Sequence, residues 1–221
     1  MGAWPRLVLT LSGLVLALAA PVRAEQIADP FAADRQALSE RLQEVETYAA
    51  DFTQTVFGVR GEVLEQSEGQ VRLDRPRFKW VVNEPYPQVL VTEGDKLKLY
   101  DPDLEQLTVR PLAEALEDTP VSLLTRDAVQ LEKSFEVMHI ADADGDSFVI
   151  EPTAQDTLYR EIVLHFAKQG LTGLDILDHL GQRTEIRFQP DKTANIDPDT
   201  FTLVVPPGTD VVGGASGNSG G

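Results

Sequence analysis

The hydrophobic pattern of the first part of the chain has the period of a helix. Apolar residues spaced by seven, four, three and four positions form one stripe: Phe31, Leu38, Leu42, Val45 and Ala49. Asp29 and Pro30 precede this stripe, and their residue types suit the N-cap and the first turn of a helix. The opposite face is charged. We therefore predict an amphipathic helix that carries the whole stripe and lies on an apolar surface.

The period changes to two after this helix and keeps that value through most of the chain. Alternating segments occupy residues 52–57, 70–74, 78–82, 96–100, 135–140, 147–151, 161–166, 175–178, 184–188 and 201–205. Turn residues such as Gly94 and Gly181 separate several of them, and connections this short join antiparallel neighbours. We predict one long antiparallel sheet with one apolar face, closed by the segment at 201–205.

Two short helical segments interrupt the strand pattern in the middle of the chain. Residues 111–117 favour a helix, and Thr119-Pro120 begins a second helix that contains Leu123 and Leu124. Three helices are too few to cover both faces of a sheet, but they can cover one concave face. The predicted fold is α+β and mainly β. It is an open curled antiparallel β-sheet, or incomplete barrel, with a lid of short α-helices over an apolar cavity.

The N-terminus has the pattern of a cleaved export signal. Its apolar run of 14 residues, 7–20, is shorter than a membrane-spanning helix. Val22 and Ala24 stand three and one positions before a cut ahead of Glu25. We predict a cleaved signal peptide at residues 1–24 and one domain at residues 25–212. The remaining residues, 213–221, are predicted to be a flexible Gly/Ser-rich tail.

Composition narrows the function classes further. The 221-residue chain has no cysteine and a formal net charge of −17. Because bacterial lipoproteins are acylated on a cysteine directly after the signal, we do not expect this chain to be lipidated there. The predicted signal contains two arginines and no acidic residue, so its removal would bring the charge to −19. Such a surface repels nucleic acid, and we expect no nucleic-acid partner, although an acidic surface also favours solubility in general.

The chain has no pattern typical of a catalytic or metal site. Its three histidines, His139, His165 and His179, stand in separate strand or turn contexts. The acidic residues at 142–146 lack the spacing of a calcium loop and indicate a hairpin turn, and the carboxylates at 101–103 indicate another turn. We predict no catalytic residue, no metal and no cofactor, and keep an exported hydrolase as a minor alternative.

An ordered series of short motifs runs from about residue 30 to residue 212. These motifs are Phe52-Thr53-Gln54, Arg75-Pro76-Arg77-Phe78-Lys79-Trp80, Glu84-Pro85, Gly94, residues 100–106, Thr119-Pro120, Leu123-Leu124, residues 178–182, Phe188, Phe201 and Pro206-Pro207-Gly208. Each motif is weak alone. In this order, behind a signal peptide, they resemble the periplasmic outer-membrane lipoprotein carrier proteins, the LolA family.

The resemblance implies a monomeric chaperone in the periplasm of a Gram-negative bacterium. Such a carrier takes lipoproteins by their acyl chains from an inner-membrane ABC transporter and delivers them to an outer-membrane receptor. That receptor is itself a lipoprotein, so the missing cysteine favours the carrier. The physical need is clear, because each buried CH₂ group adds about 0.8 kcal/mol and a multiply acylated protein therefore needs an apolar cavity to cross water.

The resemblance also assigns site residues. Arg75 matches the position that latches the lid in this family, although a surface arginine at a strand end is the alternative. Phe78 and Trp80 match aromatics that line the cavity. Periodicity alone adds further cavity candidates, namely Leu42, Val45, Leu90, Leu97, Leu99, Leu123 and Leu124. The alternative function is a same-fold periplasmic protein that binds another lipid or senses lipoproteins.

Overall fold

A computed structural model describes residues 29–117, 135–141, 143–154 and 157–213. The helices are α1 (Ala32–Gln43), α2 (Leu112–Glu117) and a 3-10 helix (Pro198–Phe201). The strands are β1 (Thr47–Phe57), β2 (Val63–Asp74), β3 (Arg77–Glu84), β4 (Gln88–Glu93), β5 (Lys96–Asp101), β6 (Gln106–Pro111), β7 (Phe135–Ala141), β8 (Gly145–Pro152), β9 (Tyr159–Ala167), β10 (Gly170–Asp178), β11 (Arg183–Pro190) and β12 (Asp210–Val212). Leu123 and Leu124 of the predicted lid lie outside the described residues.

All twelve strands belong to one open, curled sheet in the order β12-β6-β5-β4-β3-β2-β1-β11-β10-β9-β8-β7. The described chain leaves two edges, β12 and β7, so the sheet does not close into a barrel. Neighbours are antiparallel except for β12, which runs parallel to β6. The predicted mainly β fold class is therefore confirmed. Within the described residues, no helix is both long and apolar enough to cross a membrane.

The two faces of the sheet differ in composition, as the alternating pattern predicts. Phe78 and Trp80 lie on what we call the inner face, and Lys79 between them points to the outer face. The buried core cluster on the inner face includes Leu38, Leu42, Phe52, Val71, Leu73, Phe148, Ile150, Ile162, Leu164, Phe166, Ile186 and Phe188. Helix α1 contributes to this cluster, so it lies on the inner face.

Helix α1 is shorter than the stripe predicts. The helix ends at Gln43. Val45 follows in a turn, where its backbone N–H donates to the Leu42 carbonyl at 3.2 Å, and Ala49 already belongs to β1. Ala49 pairs with Arg72 of β2, a contact between residues far apart in sequence. The prediction was wrong for this end of the helix because strand pairing overrides a helical spacing. Val45 is still buried, with 2% of its surface exposed.

The pattern did not predict three of the strands, β4, β6 and β12. In β4 the residues Val89, Leu90 and Val91 form a continuous apolar run, and Val91 is completely buried. Val91 pairs with Lys79 and therefore lies on the outer face, whereas Leu90 pairs with Trp80 on the inner face. Both faces of β4 carry apolar side chains, so the strand has no polar alternation and its period of two is hidden.

The predicted closing strand at 201–205 is also wrong. Pro198–Phe201 forms a 3-10 helix with an Asp197 capping box, and residues 202–205 form no strand. The strand that pairs with β6 at this edge of the sheet is instead β12. It begins after Pro206 and Pro207, because a proline lacks the N–H that a sheet ladder needs. We call residues 191–209 the C-terminal strap, because they connect central strand β11 to edge strand β12.

The strap covers the outer face of β3 and β4. Phe201 is 4% exposed, and the guanidinium carbon of Arg77 lies 4.7 Å from its ring centroid. Lys79 Nζ donates to the Thr200 carbonyl at 2.8 Å. Arg77 and Lys79 belong to the outer face of β3, so the strap packs on the back of the strands that carry Trp80 and Leu90 on their inner face.

Candidate functional site

The inner face has two parts that differ in how well they are covered. In the closed half, formed by β7–β10 with α1, Phe148, Ile162 and Leu164 have no exposed surface. In the open half, formed by β3–β6, Trp80 and Leu90 are only partly buried. Apolar side chains that keep exposed surface on the inside of a curled sheet are candidates for contact with a ligand.

The closed half is held by polar contacts of α1 as well as by its apolar stripe. Arg41 Nη2 donates to the Ala167 carbonyl at 3.0 Å, and Arg41 Nε lies 3.3 Å from Asp146 Oδ2. Asp34 Oδ2 accepts a hydrogen bond from the backbone N–H of His139 at 3.1 Å, on edge strand β7. The Asp34 contact gives a partner to one N–H of the edge strand β7, and the Arg41 contacts tie α1 to β8 and β9.

An aromatic floor lies between the two halves, where β11, β1 and β3 contribute rings to the inner face. The rings of Phe52 and Trp80 stack with centroids 3.8 Å apart and planes at 23°. Phe188 stands edge-on to Trp80 at 6.3 Å and Phe78 lies 6.2 Å from it. Sequence reasoning identified Phe78 and Trp80 but missed the stacking of Phe52 and Phe188, because these contacts join residues of different strands.

Gly69 makes the stack possible. A Cβ atom at this position would lie 1.9 Å from the Val81 carbonyl oxygen and 2.6 Å from the Phe52 ring. The β2–β3 register also shifts between Glu68 and Gly69. Only glycine therefore lets the Phe52 ring cross β2 and reach Trp80, a local need typical of glycine inside strands. Gly69 directly precedes the predicted segment 70–74 and lies inside β2, so a glycine at this position is the sequence signal that could have indicated the close approach.

The predicted cavity residues other than Leu123 and Leu124, which lie outside the described residues, fall into three groups. Trp80, Leu90 and Leu99 lie side by side, since Leu90 pairs with both of the others across β3, β4 and β5. Phe78 and Leu97 lie on the same face but are buried, with 0% and 8% of their surfaces exposed. Leu42 and Val45, from the apolar stripe of α1 and the turn after it, are buried in the core cluster and do not share the partial exposure of Trp80, Leu90 and Leu99.

A groove of about 610 Å³ lies where the open half meets the hairpins at one end of the sheet. Its lining combines apolar with polar and acidic side chains: Gln54, Glu65, Ser67, Val82, Tyr86, Gln88, Asp101, Asp103 and Leu104. Gln88 Nε2 donates to Asp101 Oδ2 at 3.2 Å, and the Leu104 N–H donates to Asp101 Oδ1 at 3.1 Å. Asp101 therefore organises the β5–β6 turn, as predicted for residues 101–103.

Arg75 lies in the turn between β2 and β3, at the opposite end of the strands from this groove. Its Nη2 donates to the Leu42 carbonyl at 2.8 Å, and its backbone N–H donates to the Glu46 carbonyl at 3.0 Å. A cation beside the last carbonyls of α1 is also favoured by the helix dipole. The Arg75 side chain is half-buried, and its bond to Leu42 connects the β2–β3 turn to the end of α1. Most of the predicted lid, residues 118–134, is outside the described residues, so a contact there stays a prediction.

A serine, a histidine and an aspartate are connected on the outer face of the closed half. Ser147 Oγ lies 3.0 Å from His165 Nδ1, and His165 Nε2 lies 2.8 Å from Asp175 Oδ2. Arg187 Nη1 contacts the other oxygen of Asp175. Burial opposes ionisation of Asp175, but hydrogen bonds from His165 and Arg187 outweigh it and lower its pKa below 3.8.

This polar chain does not form a hydrolase site. Ser147 lies on interior strand β8, where it pairs with Ile140 of β7 and His165 of β9. Backbone N–H groups inside such a ladder bond to neighbouring strands, so they are not available to stabilise an oxyanion next to Ser147. The described residues contain no group of three or more His, Cys, Asp or Glu side chains that could hold a metal ion.

Comparison with known proteins gives the same picture over most of the chain. Residues 43–204 match the family model described as outer membrane lipoprotein carrier protein LolA. The chain is 40% identical over 197 residues to the outer-membrane lipoprotein carrier protein of Chromohalobacter salexigens, covering 88% of this chain and 92% of that one. It is 36% identical over 209 residues to the carrier protein of Pseudomonas aeruginosa, covering 94% and 99% of the two chains.

A solved structure shares the fold at much lower sequence identity. An uncharacterized conserved protein from Thermus thermophilus superposes with a TM-score of 0.51 and is 13% identical. The match covers 80% of this chain and 97% of that one. At this identity the similarity supports the open curled sheet and says nothing about the ligand.

Proposed function

The chain belongs to the outer membrane lipoprotein carrier protein family, LolA, and is a carrier rather than an enzyme; from this premise we propose that acyl chains of its cargo bind along the open half of the inner face. One observation carries the proposal. Trp80, Leu90 and Leu99 form a row of half-buried apolar side chains across three neighbouring strands. Covering such a row removes apolar surface from water, at about 25 cal/mol per Å².

The proposed transport route has two partners. The protein accepts lipoproteins from an inner-membrane ABC transporter and passes them to an outer-membrane receptor, working as a monomer in the periplasm of a Gram-negative bacterium. In this proposal residues 1–24 are removed on export, residues 25–212 act as one carrier domain, and residues 213–221 form a Gly/Ser-rich tail outside that domain. The names of the relatives support the cargo class.

Arg75 is proposed to latch the lid. A guanidinium has five N–H donors, so one side chain can hold the end of α1 and a lid carbonyl together. The bond to Leu42 supports this role, because it anchors the guanidinium at the end of α1. Arg75→Leu should fold but fail in transfer, and Arg75→Lys should retain part of the activity. Normal acceptance and delivery by Arg75→Leu would contradict the latch.

The acyl site can be tested with the tryptophan that lies in it. The chain has two tryptophans, and Trp4 lies in the predicted signal, so Trp80 would report alone in the exported form. A lipopeptide with brominated acyl chains should quench Trp80 fluorescence, because bromine quenches only at contact distance. Leu90→Ala and Leu99→Ala should weaken binding, while Leu64→Ala, at an exposed position on β2, should not. Saturable binding without quenching would contradict this location.

A second candidate function is the binding of another lipid by the same wall. The same apolar row favours this candidate, since it contains no group that distinguishes one acyl chain from another. Mass spectrometry of ligand that copurifies from native periplasm separates the two. Acylated protein supports the carrier function, and free lipid alone supports the alternative.

A further inference from the structure

We propose that Ser67 and Gln54 form a subsite at the mouth of the open half for the uncharged glycerol-ester carbonyl groups that join acyl chains to the rest of the cargo. The inference rests on the proposed acyl-chain function and extends it to the polar part of the ligand. Three observations carry it: the change from apolar to polar rows along the inner face, the lack of a hydrogen-bond partner for the Ser67 hydroxyl, and the acidic lining of the groove.

Polarity on the inner face changes in rows that cross the strands. The inner row is apolar, with Ala50, Val71, Trp80, Leu90 and Leu99 paired in succession. In the next row, Phe52, Gly69 and Val82 still pair, but Gln88 and its hydrogen-bond partner Asp101 replace apolar residues. The row after that pairs Gln54 with Ser67, and Val56 pairs with Glu65 beyond it. An amphiphile with its chains on the Trp80 row would therefore place its polar linkage in the Gln54–Ser67 row.

The Ser67 hydroxyl is unusual within the described chain. Ser67 is 4% exposed, lines the groove, and its Oγ has no hydrogen-bond partner. The other buried polar side-chain atom without a hydrogen bond, Arg41 Nε, has the Asp146 carboxylate 3.3 Å away. A buried hydroxyl without a partner is unfavourable, and a ligand carbonyl would supply the acceptor that its O–H lacks. Gln54, paired with Ser67, adds an amide donor to the same row.

The charge of the groove selects among acyl ligands. Glu65, Asp101 and Asp103 line it, and its lining contains no basic residue. Carboxylates repel the phosphate of a phospholipid headgroup but leave an uncharged ester or amide unaffected. We therefore infer that the subsite accepts the glycerol ester linkages of an acylated protein in preference to those of a phospholipid, whose phosphate the groove repels.

The test compares matched ligands and matched serine variants. The probes are a tripalmitoylated cysteine dipeptide, its analogue with hexadecyl ethers in place of both glycerol esters, and dipalmitoyl phosphatidylglycerol. Binding to wild type, Ser67→Ala, Ser67→Thr and Ser147→Ala is measured by titration. The last variant removes a hydroxyl from the outer face, away from the groove.

Ser67→Ala should weaken binding of the ester probe about threefold to tenfold, as expected for loss of one hydrogen bond, and should leave binding of the ether analogue unchanged. Ser67→Thr should retain ester binding, and Ser147→Ala should bind like wild type. The melting temperature of ligand-free Ser67→Ala should not fall, because no protein hydrogen bond is removed.

Three results would overturn the subsite: unchanged ester binding by Ser67→Ala, an equal loss for ester and ether probes, or tighter binding of phosphatidylglycerol than of the dipeptide. Failure of wild type to bind either dipeptide is a different result. It would contradict the acyl-carrier function itself, and with it the subsite.

Discussion

The two halves of the sheet are covered on opposite faces. In the closed half, α1 covers the inner face, and the outer face carries the polar contacts of Ser147, His165 and Asp175. In the open half, the strap covers the outer face, where Val91 is fully buried, and the inner face keeps partly exposed apolar residues. Each half thus gains a packed layer, but only the open half has an apolar face left over.

This difference explains how the partly exposed apolar wall of the open half remains stable. A sheet needs at least one buried face, so strands that leave the inner face uncovered must bury the outer face. The closed half therefore supplies the core and the strap stabilises the open half from behind. Changes in the closed half should affect folding, and changes on the inner face of the open half should affect binding.

The largest contrast should come from two matched leucines. Leu164→Ala, at a fully buried position of the closed half, should lower the free energy of unfolding by about 3–4 kcal/mol through cavity formation. Leu90→Ala, on the open wall, should cost about 1 kcal/mol and mainly weaken acyl-chain binding. Urea denaturation and lipopeptide titration measure the two effects. Equal losses of stability would remove the distinction between the halves.

Removal of the strap anchor should break the open half alone. Phe201→Ala should cost about 3 kcal/mol, because a buried aromatic ring is lost from the outer face. Hydrogen exchange should then accelerate in β4 and β6 but not in β8 or β9. Val204→Ala, an 85% exposed position of the same strap, is the control and should change stability by less than about 0.5 kcal/mol. Uniform acceleration across the sheet would argue against separate covers.

Gly69→Ala tests the aromatic floor between the halves. The new Cβ would contact the Val81 carbonyl and the Phe52 ring, so we expect a loss of about 2 kcal/mol and a changed near-ultraviolet circular dichroism signal of Trp80. Gly94→Ala also replaces a glycine, with φ of 62°, but meets no atom within 4 Å. It should cost about 1 kcal/mol without changing the Trp80 signal. An unchanged signal in Gly69→Ala would mean that the stack does not depend on this glycine.

The smallest effect concerns the outer face of the closed half. The folded-state pKa of Asp175 is lowered below 3.8, so its stabilising contribution is present above that pH and is lost as pH falls through the folded pKa. Asp175→Asn should therefore cost about 1 kcal/mol at pH 7, and the difference from wild type should shrink at acidic pH. Urea denaturation at pH 7 and pH 3 measures it. A difference that stays constant between these pH values would contradict the assigned cause.

Much of this organisation follows from local patterns. The period of two predicted most strands, and short turns predicted antiparallel order, because side-chain alternation and turn chemistry are local properties. Trp80, Leu90 and Leu99 were predicted to line a cavity, and they lie side by side on the inner face of the sheet. Their exposure was not predictable, because it depends on which distant segment packs above them.

The two wrong predictions of secondary structure also arise from contacts with distant parts of the chain. Residues 201–205 alternate in polarity, but the chain there lies extended over the outer face without a partner strand. Ala49 continues the spacing of α1, yet pairing with β2 takes it into β1. A pattern reports which faces are apolar, whereas the choice of strand, helix or extended segment depends on a partner elsewhere in the chain.

The amino-acid sequence by itself determined the mainly β class, the amphipathic first helix and the family to which the chain belongs. Only the tertiary structure decided which face of each half is covered, how Gly69 admits the Phe52–Trp80 stack, and where the unpartnered Ser67 hydroxyl lies. The physical reason is that polarity and turn geometry act over a few neighbouring residues. Burial and hydrogen-bond satisfaction are instead properties of contacts between strands that are distant in sequence.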